Sequence, residues 1–503
     1  MSELAVKTVS AAKWGLLSAV AKFAMQLGVN IAVARLLGPD SYGLFALATL
    51  VLIFATFFSE FGLGWSLMQR ETIDEESIRF VFTWQCISGL LGAAIMFVGA
   101  AAAAKFLHEP RLTEVVRWLA LTCIFNAVAS TASNLLRREL RFKEQAIVQV
   151  QSYASAYGLL GLPLAALGFG VWSLVAAWVF QAFLGAVLSF RCRPHPSRLL
   201  FRVAKPREFI NFGFIVLVTN ICNWLLLNAD RFLIGRILGT HSAGLYAVGY
   251  NLASVPNGLL ISALQPAFLA SGARLQDQIP TLRKAYLEVQ SFIWMVVAPV
   301  FSALALSGSD IVRILYGPNW DESGRVFVLL LMVMPAYLAW SMTTPILWNT
   351  GRRRLEVLCQ IPLLLGGLAA LVLASRFGLV AMAGVAAALI FLRFAVLAVP
   401  AARALKLSGA TVLNLFCRAV MLNGLVLASG YLSGLIADHL NGHALLLLLS
   451  RTGGSALIAV LLWVSVPKLL GQPAATLLTR FLPTNSWLTR HFARHFSGTS
   501  TTR

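Results

Sequence analysis

The chain has 503 residues, of which 58% are hydrophobic and only 12% charged, and its mean hydropathy is +0.78. A soluble domain is nearer to about 25% charged, and this chain has too little polar surface to solvate a globule of its size, which excludes a soluble enzyme or binding module. The net charge of +20 sits in short connections between apolar runs. It therefore reads as membrane topology and contact with anionic lipid, not as nucleic-acid binding.

Apolar runs of about 20 residues, each long enough to cross a bilayer as a helix, recur along the whole length. They predict an all-α integral membrane protein with about 14 spans, over 12–34, 43–67, 80–106, 115–136, 146–167, 170–190, 209–230, 242–268, 287–308, 325–348, 357–375, 379–401, 411–436 and 446–467. The start, "MSELAVKTVSAAKWGLL", lacks a small-residue cleavage site after a short apolar core, so span 1 reads as retained. The alternating β-segments of a barrel are not present.

Span 1 carries Ser18, Lys22, Gln26 and Asn30 at four-residue steps, which stacks them on one helical face. Lys22 sits near mid-span, where an ammonium facing lipid costs a few kcal/mol, so it is expected to face protein or water. Two readings stand together, attraction of an anionic substrate group and pairing with Glu60 at compatible depth on span 2, and snorkelling to the cytoplasmic side is the third. Glu60 is also a candidate carrier of a coupling proton, since burial raises a carboxyl pKa.

After span 1 comes "ARLLGPDSYGLFA" (34–46), and after span 7 comes "GRILGTHSAGLYA" (235–247). Arg35, Gly38, Ser41, Gly43 and Leu44 match Arg236, Gly239, Ser242, Gly244 and Leu245 without a gap. Gly38 and Gly239 suit tight turns, and Arg35 and Arg236 read as interfacial anchors that cap them. A weaker echo, "FGVW" at 169–172 and "FGLV" at 377–380, opens spans 6 and 12.

Six spans separate the two phrases, an even number, so the halves share one orientation, as parallel repeats do. The expected architecture is two pseudo-symmetric six-helix lobes, 1–190 and 209–405, joined by a basic linker at 191–208. Helices 13 and 14 (406–470) and a basic tail (471–503) follow without counterparts. The tail, with spaced aromatics, suits either a membrane surface or disorder. Most Lys and Arg fall on one side when the N-terminus is cytoplasmic, which places both termini there.

The repeat offset carries the polar row of span 1 onto Thr219, Asn223, Leu227 and Arg231 in span 7, with Asn220 and Asp230 alongside. Span 8 adds Asn251, Ser254, Ser262 and Gln265. These faces are expected to converge on one water-filled cavity, with Ser18, Lys22, Gln26, Asn30, Thr219, Asn223, Arg231 and Asn251 as its substrate-binding residues. Arg231 with Asp230 suits an outer gate or a local structural pair. Arg393 in span 12 reads as snorkelling to the cytoplasmic side. Pro256, Pro266, Pro335 and Pro345 interrupt spans 8 and 10, as moving or static kinks.

Enzyme chemistry is not visible. There is no phosphate-binding glycine loop with its lysine, no paired-carboxylate site and no histidine with a carboxylate at useful spacing. The six cysteines (Cys86, Cys123, Cys192, Cys222, Cys359, Cys417) are scattered without metal-ligand spacing, so free thiols and no cofactor are expected.

Several stretches carry a family resemblance: "ARLLGPDSYGLFAL" with "FGLG" (61–64), "LRRELRF" (136–142), "GFGVWSLV" (168–175), "DRFLIGRILGTHSAGLYAVGYNLASVP" (230–256) and "LYGPNW" (315–320). On these the chain resembles the polysaccharide transporter family, within the superfamily of multidrug, oligosaccharidyl-lipid and polysaccharide exporters. The resemblance implies a flippase for undecaprenyl-diphosphate-linked oligosaccharide in a bacterial inner membrane, working by alternating access of two lobes for polysaccharide export. It implies lipid-linked oligosaccharide and membrane lipids as partners, together with other polysaccharide assembly proteins. The alternatives are a multidrug exporter of the same superfamily, a flippase for the peptidoglycan lipid precursor, and a membrane glycan polymerase or ligase. The short outer loops oppose the last.

Overall fold

Two glycines in corresponding positions of the repeated phrase break what would otherwise be two very long helices. In the computed structural model the helical stretch Glu3–Glu60 leaves helical geometry at Gly38 (φ 72°, ψ 173°). The stretch Pro206–Arg274 does so at Gly239 (φ 83°, ψ −178°). Both backbones sit at positive φ, where a side chain is strained and glycine is not. The same local chemistry thus produces the same local shape twice.

The structure describes residues 3–60, 67, 73–139, 141–201, 206–274, 278–439, 444–481 and 491–492. Side chains before residue 23, over 57–60 and 206–223 and at some further positions, lie outside that description. We label the helices before and after Gly38 α1 and α2, and those before and after Gly239 α7 and α8. Between them come α3 (Glu75–Leu107), α4 (Leu112–Leu119 with Leu121–Arg138), α5 (Phe142–Ser155 through a π turn to Leu162–Ala166) and α6 (Val171–Cys192). Then follow α9 (Ile279–Leu306), a short α10 (Gly308–Tyr316), α11 (Asp321–Asn349), α12 (Arg353–Ala374) and α13 (Leu379–Ala404). The last are α14 (Gly409–His439), α15 (Ala444–Ser465), α16 (Pro467–Leu470) and α17 (Gln472–Phe481). Among the described residues, ten stretches are long and apolar enough to cross a membrane, one of them being α1 with α2. With α5, α7 and α8 these make the fourteen spans that the hydropathy predicts. Pro335 and Pro345 lie inside α11, which continues through them.

The chain divides into two units, Met1–Ala247 and Val248–Arg503. In the first, family motifs collect at the two ends of the helices. One end holds the repeat turns and the α5–α6 corner, where Ser173 Oγ donates to Gly170 O at 2.7 Å within the first turn of α6. The other end holds "LRRELRF". There Arg138 Nη1 donates to Leu67 O (2.7 Å), Arg141 Nη2 to Cys192 O (3.1 Å), and Arg193 Nε to Glu139 (2.7 Å). Alternate connections meeting at alternate ends is what a bundle of antiparallel neighbours requires.

The linker is strapped to α3 rather than slack. Arg79 Nε donates to Arg198 O (3.1 Å), Leu200 N to Thr83 Oγ1 (2.8 Å) and Trp84 Nε1 to Phe201 O (3.3 Å). The buried His195 ring meets Phe82 and Phe190 edge-on, with centroids 4.9 and 5.2 Å away.

In the second unit, α14 and α15 pack closely because small residues face each other. A side chain at Gly430 or Gly454 would strike Ser455 or Ser433 of the other helix. The pair is fastened to α9 and α10. Ser302 Oγ donates to Asn423 Oδ1 (3.0 Å), Trp463 Nε1 to Met295 O (3.0 Å), and Arg451 pairs with Asp310 (2.9 Å). The start of the chain's last segment is folded: Leu469, Leu470, Ala474 and Ala475 are buried in one cluster with Met295 and Leu422. Trp320 of "LYGPNW" is 1% exposed and stacks near Tyr316, so that motif builds a corner.

Candidate functional site

The two repeat turns, about 200 residues apart in sequence, meet. A Cβ on Gly43 would collide with the backbone carbonyl of Thr240, and a Cβ on Gly244 with that of Pro39. Pro39 and Thr240 are themselves repeat-equivalent, as are Gly43 and Gly244. Each copy therefore makes to the other the contact that it receives, as across a local two-fold axis. Only glycine lets backbones approach so closely.

From this crossing α2 runs antiparallel to α7. Leu47 covers Gly235, so that a side chain there would strike it, and Phe54 meets the buried Trp224 at 5.4 Å between centroids. Residues 43 to 54 span about 16 Å of helix. The seal at the turn end thus extends some three turns along the two helices.

Polar groups latch the crossing. Thr240 Oγ1 donates to Asp40 Oδ1, and Arg111, from the α3–α4 connection, donates to both Asp40 oxygens (2.8 and 3.3 Å). Arg111 also grips Glu109 through Nε (2.8 Å) and Nη2 (2.9 Å). That hydrogen-bonded guanidinium holds the Glu109 carboxyl below the usual carboxylate range. Arg236 donates to Phe106 O and lies 4.4 Å from the Phe106 ring, so this repeat arginine caps the end of α3. Asp40, Arg111 and Thr240 carry no local sequence signal of partnership.

Of the residues expected to bind substrate, Ser18, Lys22, Thr219 and Asn223 lie outside the described side chains, as does Glu60. Gln26 and Asn30 are both half-buried on α1, and Asn30 Oδ1 accepts from Tyr42 OH at 3.2 Å. On the second copy, Asp230 Oδ2 accepts from Tyr246 OH at 2.5 Å. Each hairpin is thus laced by a tyrosine just past its turn to a polar residue before it. Arg231 is half-buried beside Asp230, and Asn251 is exposed on α8. Ser254 Oγ and Ser262 Oγ bond backbone carbonyls of their own helix (3.1 and 2.9 Å), and Gln265 Nε2 donates to Ser341 O (3.1 Å). Among the described residues no group of three His, Cys, Asp or Glu is placed to hold a metal ion.

The family profile described as polysaccharide biosynthesis protein matches residues 32–325, more than half of the chain and inclusive of both repeat turns. The chain belongs to that family. Among curated relatives, it is 24% identical over 339 residues to the succinoglycan biosynthesis transport protein ExoT of Rhizobium meliloti (strain 1021), covering 67% of this chain and 68% of that one. It is 25% identical to the lipopolysaccharide biosynthesis protein WzxC of Escherichia coli (strain K12), covering 65% and 67%. Among solved structures, the lipid II flippase MurJ in an inward closed conformation superimposes with a TM-score of 0.68 at 10% identity, over 90% of this chain and 99% of that one. An inward-facing multidrug resistance MATE transporter gives 0.51 at 14% identity, over 78% and 94%. At such identities the likeness shows the fold: this family member is an all-α multi-pass membrane protein of transporter architecture, with two six-helix lobes and two additional helices.

Proposed function

We propose that the protein is a flippase that carries lipid-linked oligosaccharide repeat units, on an undecaprenyl-diphosphate carrier, across the bacterial inner membrane for polysaccharide export. The observation that carries this reading is the reciprocal crossing of the repeat turns at Gly43 and Gly244. A glycine contact latched by Asp40, Arg111 and Thr240 is a seal that can part as a unit, because Asp40 and Arg111 are exposed enough to exchange their hydrogen bonds for water. We take it as the outer gate of an alternating-access cycle, closed here. On this reading both termini, the linker strap and "LRRELRF" are cytoplasmic.

The polar row of α1 and its counterpart on α7 run up to this gate. Lys22, Gln26, Asn30, Ser18, Asn223, Thr219, Arg231 and Asn251 line the path of the glycan in this proposal. The diphosphate needs cationic and hydrogen-bonding partners, which these residues supply. Asp230 and Glu60 are the coupling candidates, Asp230 through the hydroxyl of Tyr246. The name of ExoT, a succinoglycan biosynthesis transport protein, and that of WzxC, a lipopolysaccharide biosynthesis protein, fit this reading, and a drug or lipid II cargo is the competing one.

Depletion of the protein in its own host tests the proposal. The expected result is accumulation of a lipid-linked oligosaccharide on the inner leaflet with loss of surface polymer. Unchanged glycan pools with raised sensitivity to cationic drugs overturn it in favour of drug export. Accumulated lipid II assigns the peptidoglycan precursor instead.

A further inference from the structure

Arg393 does not reach for the membrane surface. It lies 11 residues before the end of α13, roughly 16 Å along the axis, and its side chain turns to the neighbouring helices. Instead its guanidinium lies 3.8 Å from the ring of Trp340 on α11, and its Nη2 donates to Gln360 Oε1 on α12. Tyr337 meets Trp340 edge-on at 5.2 Å and helps to hold the indole in place.

The rest of the cluster is satisfied around a carboxylate. Gln360 Nε2 donates to Glu356 Oε1 (3.0 Å), Thr344 Oγ1 donates to the same oxygen (3.2 Å), and Trp348 Nε1 donates to Oε2 (2.5 Å). Arg393 and Glu356 are therefore joined through an amide, with no direct ion pair. Two buried donors are left without a hydrogen-bond partner, Arg393 Nε and Trp340 Nε1.

A cation inside a membrane bundle is costly and persists where it faces a partner. Here the guanidinium lies over an aromatic ring that itself carries a buried N–H without a partner. The acceptor that would complete this set is an oxygen bearing negative charge. We infer that Arg393 and Trp340, positioned by Gln360 and Glu356, form an oxyanion-binding subsite for a phosphate or carboxylate of the transported molecule. The inference rests on the flippase reading for the identity of its cargo. The subsite lies wholly within the second unit.

The test uses the full-length protein in detergent or nanodiscs, with farnesyl diphosphate and glucuronate as probes and farnesol as the uncharged control. Wild type is expected to bind at least one of the anions and to bind farnesol no better than Arg393→Gln does. Arg393→Gln is expected to weaken anion binding by about tenfold or more. Arg393→Lys keeps the charge without the fork and falls between, while Trp340→Phe keeps the ring without the N–H and loses a few-fold. Those two variants serve if Arg393→Gln does not fold. Binding of farnesyl diphosphate alone assigns the carrier linker, and binding of glucuronate alone assigns an acidic sugar. Anion binding that is equal in wild type and Arg393→Gln, or absent in wild type, overturns the subsite. Host depletion separates the two ideas. If the intermediate accumulates on depletion but Arg393 proves irrelevant to anions, the subsite fails and the flippase stands. If Arg393 binds anions but depletion leaves the intermediate unchanged, the flippase reading fails.

Discussion

Gly43 of α2 and Gly244 of α8 touch so closely that a Cβ built on Gly43 lies 2.6 Å from the backbone nitrogen of Gly244. The contact explains why the chain carries one phrase twice: each copy supplies the glycine that admits the other's backbone. Gly43→Val is therefore expected to force the helices apart at a cost of about 1–3 kcal/mol. Its melting temperature should fall by several degrees in detergent. Gly28→Ala, on α1 with open space around its Cβ, is the control and should be neutral or slightly stabilising. Equal melting temperatures for Gly43→Val and wild type would contradict the crossing.

The latch is a different kind of contact. Arg111 and Asp40 are about half exposed, so Arg111→Ala is expected to cost less than about 1 kcal/mol of stability. It should nevertheless open the turn, seen as faster maleimide labelling of a cysteine placed at Thr240. Glu109, held below its ordinary 4.5 by Arg111, stays charged as pH falls until that lowered value is reached. Its contribution is present above the ordinary value and lost only below it. Labelling, taken relative to a fully exposed control cysteine so that the pH dependence of the thiolate cancels, should thus be flat between about pH 7.5 and pH 5.5. A relative rise as pH falls through that window would contradict this account.

The linker should behave in the opposite way with pH. Burial between Phe82 and Phe190 pushes the His195 imidazole below its ordinary 6.5, so the docked strap favours the neutral ring. For a depressed pKa, the contribution is full above 6.5 and declines as pH falls toward the folded value. Hydrogen exchange over residues 193–201 is expected to quicken between about pH 7 and pH 5.5 beyond its intrinsic trend. His195→Phe should remove that excess. Exchange that is unaffected by the substitution would show that His195 does not govern docking.

Truncation after residue 408 removes α14 to α17, and with them the partners of Ser302, Asp310 and Met295 in the second unit. The shortened protein is expected to be degraded or aggregated in membranes. Full export by the truncated chain would make those helices dispensable additions.

Much of this was legible in the residues. Hydropathy located all fourteen spans, because a bilayer imposes one length on every crossing helix. The repeat located Gly38 and Gly239, because positive φ leaves glycine as the unstrained choice. What escaped was tertiary. Asp40, Arg111 and Thr240 have no periodic or spacing signal, since a latch between distant segments is decided by packing. Arg393 looked able to snorkel because its place in span 12 carries no sign of Trp340 and Gln360, its partners on the neighbouring helices. The linker's charges looked like topology signals alone, yet Arg193 spends its Nε on Glu139, and the linker carbonyl of Arg198 is taken by Arg79 of α3. Ala474 and Ala475, at the start of the tail, join a core with Leu469 and Leu470 before it, and the basic residues beyond them masked that.

One measurement bears most directly on the central claim, that the repeat turns are the gate of a flippase. Asp40→Cys and Thr240→Cys are combined in a chain whose six native cysteines are replaced, and the pair is cross-linked in intact cells. The account predicts that cross-linking stops polymer export and accumulates the lipid-linked intermediate, and that reduction restores export. Export at the uncross-linked rate by a fully cross-linked population would contradict it.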